Sequence, residues 1–242
     1  MRWGQIEIQG IMFYEGERRQ QLHDTYESFK TFVEEALIER HKNPTDDLLG
    51  QLIRDQIERD GEFDLEYLKA QAVVLISAGL ITTSHLISNT MQLLLENPEQ
   101  MQAVIADPKL IPKALDESLR LESPVQWVPR RVTQDIELGG QLLREGSHVL
   151  IGLGSANRDP EKFENPEVFD LSRKNPVPQV AFGNGVHFCV GALLARVEAT
   201  TAFEQLFSRL KNLRAAADND FRHIDSPVFR GMRRLNLEFE GA

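Results

Sequence analysis

The spacing of apolar residues predicts a chain that is mostly helical. Between residues 18 and 40, apolar side chains recur at every third or fourth position, as on one face of an amphipathic helix. A second helix is predicted over residues 46–58, between breaks at Asn43-Pro44 and Asp60-Gly61. Residues 1–17 show no clear period and suit a strand or an exposed lead-in.

The longest helix signal covers residues 65–96, with Asp64 as its cap and Asn97-Pro98 as its stop. At 1.5 Å per residue, this helix would be about 48 Å long. Its middle, residues 72–81, is apolar all round, which predicts burial on every side and hence a central helix. That apolar run is far shorter than the roughly 20 residues that a membrane span needs.

Shorter elements follow this helix. Helices are predicted over residues 99–106 and 113–121, the second of them between Pro112 and Pro124. An alternating pattern then predicts strands over residues 136–138, 142–143 and 148–151, and a last helix runs from the cysteine to about residue 210. The predicted fold class is mainly α with small β-sheets, in a single domain over residues 1–242.

Composition and charge narrow the class of partner. The chain has 242 residues, 41% of them hydrophobic, which can supply a sizeable core. Its 27 basic and 37 acidic residues give a net charge of −10, which argues against nucleic acid or an anionic membrane as a partner. A single cysteine excludes an internal disulfide, and the start of the chain lacks the pattern of a secretion signal. We therefore expect a cytoplasmic protein.

The single cysteine, Cys189, lies in the stretch 182–196, which reads FGNGVHFCVGALLAR. Gly183 and Gly185 allow a tight turn and close approach to a flat partner. Because an apolar helix begins just after Cys189, the positive helix end favours the thiolate, the form of cysteine that binds iron. These features predict a metal site around a buried thiol. The alternative is a buried structural cysteine.

This stretch resembles the haem-binding signature of cytochromes P450, of the bacterial type. The matching residues are Phe182, Gly183, Gly185, His187, Cys189, Gly191, Leu194, Ala195 and Arg196. The resemblance implies that Cys189 is the axial thiolate ligand of the iron in haem b. It also implies that Phe182 packs beside the sulfur and that His187 hydrogen-bonds a haem propionate.

The long helix carries a second match, over residues 78–83. Gly79 would let something flat approach the helix, and threonines can hydrogen-bond the carbonyl one turn back, which predicts a kink with a polar notch. By resemblance, Ala78 and Gly79 lie at the distal haem face, and Thr82 is the oxygen-activating threonine, followed by Thr83. Ile81 departs from the pattern, since the family has a proton-relaying acid there. The alternative is a buried helix whose threonines only satisfy backbone carbonyls.

A third match, Glu117 and Arg120, is the Glu-x-x-Arg motif of the family. From spacing alone the pair suits an exposed ion pair worth a few tenths of a kcal/mol. The resemblance instead implies a buried structural lock, for which Arg173 is a candidate third member. Arg130 matches the propionate-binding arginine of the family, and its alternative is a solvated charge on a strand.

The resemblance also implies which residues lie near a substrate. These are Gln126, Trp127 and Val128, together with Val228 at the tip of a last hairpin. It covers the chain from about residue 18 onward, but only the C-terminal portion of a P450. With this truncated P450-like fold, one haem edge would be open to water, which disfavours efficient hydroxylation.

Three functions follow from the resemblance. The first is a haem-thiolate monooxygenase that inserts one oxygen atom from O2 into a small organic substrate, with electrons from a ferredoxin or reductase. The second is a shortened homologue with altered chemistry, such as peroxide-driven oxidation, or with a haem site completed by a homodimer or a partner chain. The third is a non-catalytic remnant that serves binding or regulation.

Overall fold

The computed structural model describes residues 15–174 and 178–241. This part of the chain divides into two compact units, one up to Ile81 and one from Thr82 onward, and each is described by itself. The lead-in predicted over residues 1–17 lies outside the described residues up to position 14. Residues 16 and 17 already belong to the first helix.

The first unit contains helices α1 (Gly16–Lys42) and α2 (Leu48–Asp60) and the start of α3 (Leu65–Glu96). Capping residues set the ends of these helices. The Asp47 carboxylate accepts from the backbone N–H of Gly50 at 2.9 Å, and Gly61 ends α2 with a positive φ of 81°. Asp64 caps α3 as predicted, because its side chain accepts from the N–H of Tyr67 at 3.0 Å.

One face of each helix forms the core of the first unit. The buried members of this core are Phe29, Val33, Leu37, Ile53, Leu68, Ala72 and Val73. The prediction that residues 72–81 are buried on every side is wrong. Val74 is 60% exposed, and Ile76 and Leu80 are also exposed, because only one side of this part of α3 packs on the core of its unit.

The α3 helix runs unbroken from Leu65 to Glu96, so the kink predicted near Gly79 does not end it. By length and composition, α3 could also cross a membrane: its most apolar window has a mean hydropathy of 1.6, with 33% of its residues buried. This differs from the prediction, which counted only the apolar run of residues 72–81. The core helices of soluble proteins have the same character, so the observation is weak evidence for a membrane span.

The second unit contains the remaining elements. They are α4 (Pro98–Ala106), α5 (Ile111–Leu121), β1 (Trp127–Arg131), β2 (Ile136–Leu138), β3 (Gln141–Leu143), β4 (His148–Gly152), α6 (Leu153–Ala156), α7 (Ala192–Arg209), β5 (Leu210–Ala215) and β6 (Leu237–Gly241). Within the described residues the strands pair as three antiparallel two-stranded sheets, β1 with β4, β2 with β3 and β5 with β6. The predicted class, mainly α with small sheets, is confirmed.

The core of the second unit lies around α5. Its largest buried apolar residues come from α3, α4, α5 and α7, and include Leu86, Leu94, Val104, Ile111, Leu115, Leu119 and Phe203. Apolar residues recur along one face of α5, and these fill the centre of the unit. The last turn of α5 also buries charged side chains, which have their own partners.

A buried ion cluster, formed by Glu117, Arg120 and Arg173, lies at the last turns of α5. Arg120 is fully buried and binds the Glu117 carboxylate with two nitrogens, both at 2.9 Å. Arg173 donates to the same carboxylate at 2.9 Å. Two cations around one carboxylate balance much of the cost of burying these charges.

The same arginines hold the segment that leads to the cysteine loop. Arg120 donates to the carbonyl oxygens of Asn157, Pro166 and Val168 at 3.1, 2.6 and 3.0 Å. The amide oxygen of Asn157 in turn accepts from the N–H of Val180 at 2.7 Å. Burying one guanidinium therefore fixes a segment that has little regular structure of its own.

We expect Glu117→Ala to lower the free energy of unfolding by about 3–5 kcal/mol, because it leaves two arginines without their carboxylate. Urea denaturation followed by circular dichroism measures this. The matched control is Arg144→Gln, which removes an exposed ion pair to Asp135 at 2.7 Å and should cost about 1 kcal/mol or less. Equal losses in the two variants would contradict the role given to the cluster.

Candidate functional site

The cysteine loop, residues 182–191, is closed by its own backbone. The N–H of Cys189 donates to the carbonyl of Phe182 at 2.9 Å, so the two ends of the loop meet. A 3-10 turn, Gly185–His187, lies between them, and the N–H of Phe188 donates back to the carbonyl of Gly185 at 3.0 Å. These bonds hold the sulfur in place without help from a side chain.

Two glycines in the loop adopt a conformation that other residues avoid. Gly183 and Gly185 both have a φ of 72°. A Cβ at Gly185 would meet no atom within 4 Å, so the need for glycine there is conformational rather than steric. A Cβ at Gly191 would lie 3.9 Å from the sulfur of Cys189, an ordinary contact.

The thiol of Cys189 is exposed, so the prediction of a buried cysteine is wrong. Apolar side chains around it are exposed as well, with Val186 at 98% and Val190 at 88%. Exposed apolar groups on this scale mark a surface that binds another group.

Phe182 and Arg196 connect the cysteine loop to α5 of the same unit. The Arg196 guanidinium lies over the Phe182 ring, 4.7 Å from its centre, and also donates to Asp116 on α5 at 2.8 Å. The ring of Phe188 lies 6.4 Å from that of Phe182. His187 is exposed at the end of the 3-10 turn.

The described residues contain no group of three His, Cys, Asp or Glu side chains that could hold a metal ion. Within the described residues, a metal at Cys189 would therefore have fewer than three ligands of these residue types and would need further ligands from elsewhere. An iron whose remaining ligands come mostly from a flat macrocycle meets that condition. The exposed apolar side chains beside the sulfur suit such a flat ligand.

The predicted residues of α3 divide between the two units. Ala78 and Gly79, in the first unit, are exposed, and a Cβ at Gly79 would meet no atom within 4 Å. In the second unit Thr82 is half-buried and Thr83 is buried. Ile81, where the resemblance implies an acid, is buried.

The structure brings together the residues expected near a substrate. The N–H of Gln126 donates to the carbonyl of Val228 at 2.9 Å, and the indole N–H of Trp127 donates to the carbonyl of Pro227 at 2.7 Å. Val128 continues β1 and is half-buried, whereas Val228 is buried. Arg130 is exposed on the same strand and donates to the carbonyl of Pro129 at 2.8 Å.

Sequence reasoning missed a polar cluster in the second unit. It consists of Glu122, Arg158, Arg230, His223 and His85. Arg158 and Arg230 donate to the Glu122 carboxylate at 2.9 and 3.2 Å. Its members lie far apart in the chain, so no spacing pattern indicates the cluster. The available signal for this cluster was the charge of Glu122 at the C-terminal end of α5.

Comparisons with known proteins agree with the loop and the fold. The family model of cytochrome P450 matches residues 13–109 and 105–227. The chain is 40% identical over 206 residues to cytochrome P450 107B1 of Saccharopolyspora erythraea, covering 84% of this chain and 50% of that protein. It is 38% identical over 209 residues to the biotin biosynthesis cytochrome P450 of Bacillus subtilis, covering 86% and 52%.

Solved structures give the same result. The crystal structure of P450BioI in complex with hexadec-9Z-enoic acid ligated acyl carrier protein matches with a TM-score of 0.87 at 33% identity, over 98% of this chain and 60% of that one. The ligand-free structure of cytochrome P450 TbtJ1 matches with a TM-score of 0.87 at 34% identity, over 99% and 62%. The chain, which spans about half the length of the curated relatives it matches, belongs to the cytochrome P450 family.

Proposed function

We propose that this chain forms the haem-thiolate part of a monooxygenase that acts on a small organic molecule. The observation that carries the proposal is Cys189, a single exposed thiol on a loop closed by its own backbone. Proteins of the family bind haem, and the thiol of Cys189 suits an iron that brings its own macrocycle. When bound, haem supplies the redox chemistry that activates O2.

The chain's own residues then have distinct roles. With haem bound, Cys189 would hold the iron through an anionic sulfur, which would donate electron density to it. Gly183, Gly185 and Gly191 keep the backbone beside the sulfur free of side chains. Arg130 and His187, both exposed in the second unit, supply hydrogen-bond donors for carboxylate groups of the cofactor.

Thr82 and Thr83 supply hydroxyl groups on α3. A hydroxyl donates one proton and accepts another, so Thr82 can pass a proton on without holding a charge. Ala78 and Gly79 leave the helix surface bare one turn earlier. Ile81 cannot provide a proton, because its side chain has no titratable group.

For the substrate and the electron donor, the proposal names only a chemical class. Gln126, Trp127, Val128 and Val228 form one wall of the proposed substrate site, with a ferredoxin or reductase as donor. One family member was crystallised in complex with an acyl carrier protein that is ligated to hexadec-9Z-enoic acid. A cytoplasmic location without nucleic acid or membrane partners stays a prediction.

A second candidate is a haem site completed by another polypeptide, either a second copy or a partner chain. It is favoured by exposed apolar side chains within each unit: Val74 and Leu80 in the first, Val186 and Val190 in the second. Peroxide-driven oxidation would suit a site with an open edge. A non-catalytic binding or regulatory role is the remaining alternative, and in that case Cys189→Ala would leave the function intact.

One prediction concerns the iron ligand. Reduced, haem-loaded protein under carbon monoxide should show the red-shifted Soret band that is specific to thiolate ligation, because the Cys189 sulfur would bind the iron. Cys189→Ser should lose this band. The matched control is Ser208→Ala, on an exposed position of α7, which should keep it. Bound haem without that band in the unchanged protein would contradict the assignment.

A further prediction concerns Thr82. Thr82→Val keeps the shape of the side chain but removes the hydroxyl, so more of the reduced oxygen should escape as hydrogen peroxide. The loss in productive turnover should be on the order of a hundredfold, the lower end for general acid–base catalysis. Peroxide formed per electron pair consumed measures this, with Thr200→Val on α7 as the control. An unchanged ratio would remove Thr82 from the proposed site.

A further inference from the structure

The polar cluster places His85 against the last hairpin of the chain. His85 lies on α3 and is 9% exposed. A Cβ on Gly231 would lie only 2.0 Å from the Nδ1 atom of His85, so the ring fits against the bare backbone of Gly231. The N–H of Ile224 donates to the carbonyl of Gly231 at 2.9 Å, which keeps the two sides of this hairpin together.

The other ring nitrogen of His85, Nε2, is buried and has no hydrogen-bond partner. Burying an unpaired polar atom is costly, and a catalytic role is one explanation for such an atom in a native structure. Helical side chains lean toward the N-terminus of their helix. From this general preference we expect the ring of His85 over the turn that contains Thr82, three residues earlier.

His85 is also the nearest titratable residue to Thr82 along α3. Between Lys69 and His85 the helix carries only apolar and uncharged polar side chains. His85 is therefore the titratable side chain of α3 that lies within one turn of Thr82.

Charged groups lie near His223, whose charge acts on His85. His223, from the hairpin, has a 28% exposed side chain, and its Nε2 lies 3.7 Å from the Glu122 carboxylate. At that distance the two groups form no hydrogen bond, but they form an ion pair once the ring of His223 is charged. Arg158 and Arg230 bind the same carboxylate, and Glu96 also acts on His223.

Burial, and then the nearby His223, lower the pKa of His85 below the usual 6.5. Burial and then Arg230 lower the pKa of His223, and Glu122 and Glu96 partly oppose this. Both rings are therefore mostly neutral at pH 7. They gain their protons as the pH falls below 6.5, and the charged form of His85 gives up its proton readily.

We propose that His85 is the proton-relay residue for Thr82 and that His223 links it to solvent. The inference rests on the proposed function, since it names the proton source of that site. One proton enters from water at His223 and charges it, and one proton passes to His85. One proton then leaves Nε2 of His85 for the Thr82 hydroxyl, which releases its own proton into the site. Only N–H and O–H bonds change, and no electrons move.

The relay can be tested first without turnover. In the full chain labelled with 15N-histidine, the NMR titration midpoint of His85 should lie below 6.5 and should rise in His223→Gln, which removes a neighbouring positive charge. The NMR signals of exposed His23, on α1, should be the same in both proteins and serve as the control. A His85 midpoint that does not respond to His223→Gln would overturn the link between the two rings.

The second test uses the haem-loaded, carbon-monoxide-competent protein. His85→Leu and His85→Gln should both raise peroxide formed per electron pair on the order of tenfold and should remove its solvent isotope effect. His23→Gln is the matched control and should change neither. If the thiolate-specific band is absent, the proposed function and this inference both fail. If the band is present and both His85 variants keep the native ratio, the inference alone is overturned.

Discussion

The burial of one guanidinium organises the second unit. Arg120 has no exposed surface, so each of its donors must find an acceptor inside the protein. The Glu117 carboxylate accepts two of its hydrogen bonds, and three backbone carbonyls of the segment after β4 accept three more. A segment with almost no helix or strand thus has one low-energy path, and that path leads to the cysteine loop.

The cysteine loop keeps its shape with little side-chain packing. Its closure is made by backbone bonds, and its two left-handed glycines allow the chain to turn inside a short distance. The Arg196 side chain then joins the loop to α5 through Asp116 and the Phe182 ring. The sulfur is thereby held by the backbone and remains open on the side that a flat ligand would approach.

The sequence predicted the helices well and their burial poorly. The periodic apolar residues and the caps at Asp64 and Gly61 placed α1 to α5 within about two residues of their observed ends. Burial is different, since the exposure of Val74 and Cys189 depends on what packs against them. Strand β5 was missed because its residues continue the α7 pattern without a break.

The site divides in the same way. The residues of the cysteine loop could be named from a local motif, because one short segment supplies the thiol and the turns around it. His85, Glu122 and His223 could not, because their proximity is created only when the last hairpin packs beside α3. Arg173 lies between these cases. The family resemblance made it a candidate partner for Glu117, and the fold of the chain supplies the 2.9 Å contact.

The close fit of His85 against Gly231 limits how this protein can vary over time. A methyl group at position 231 would overlap the imidazole, so any larger residue there requires a smaller one at position 85. A change at either position alone meets either a clash or a void, and the two positions should drift through related sequences as a pair. Homologues that carry a small side chain at 85 are the ones free to lose the glycine.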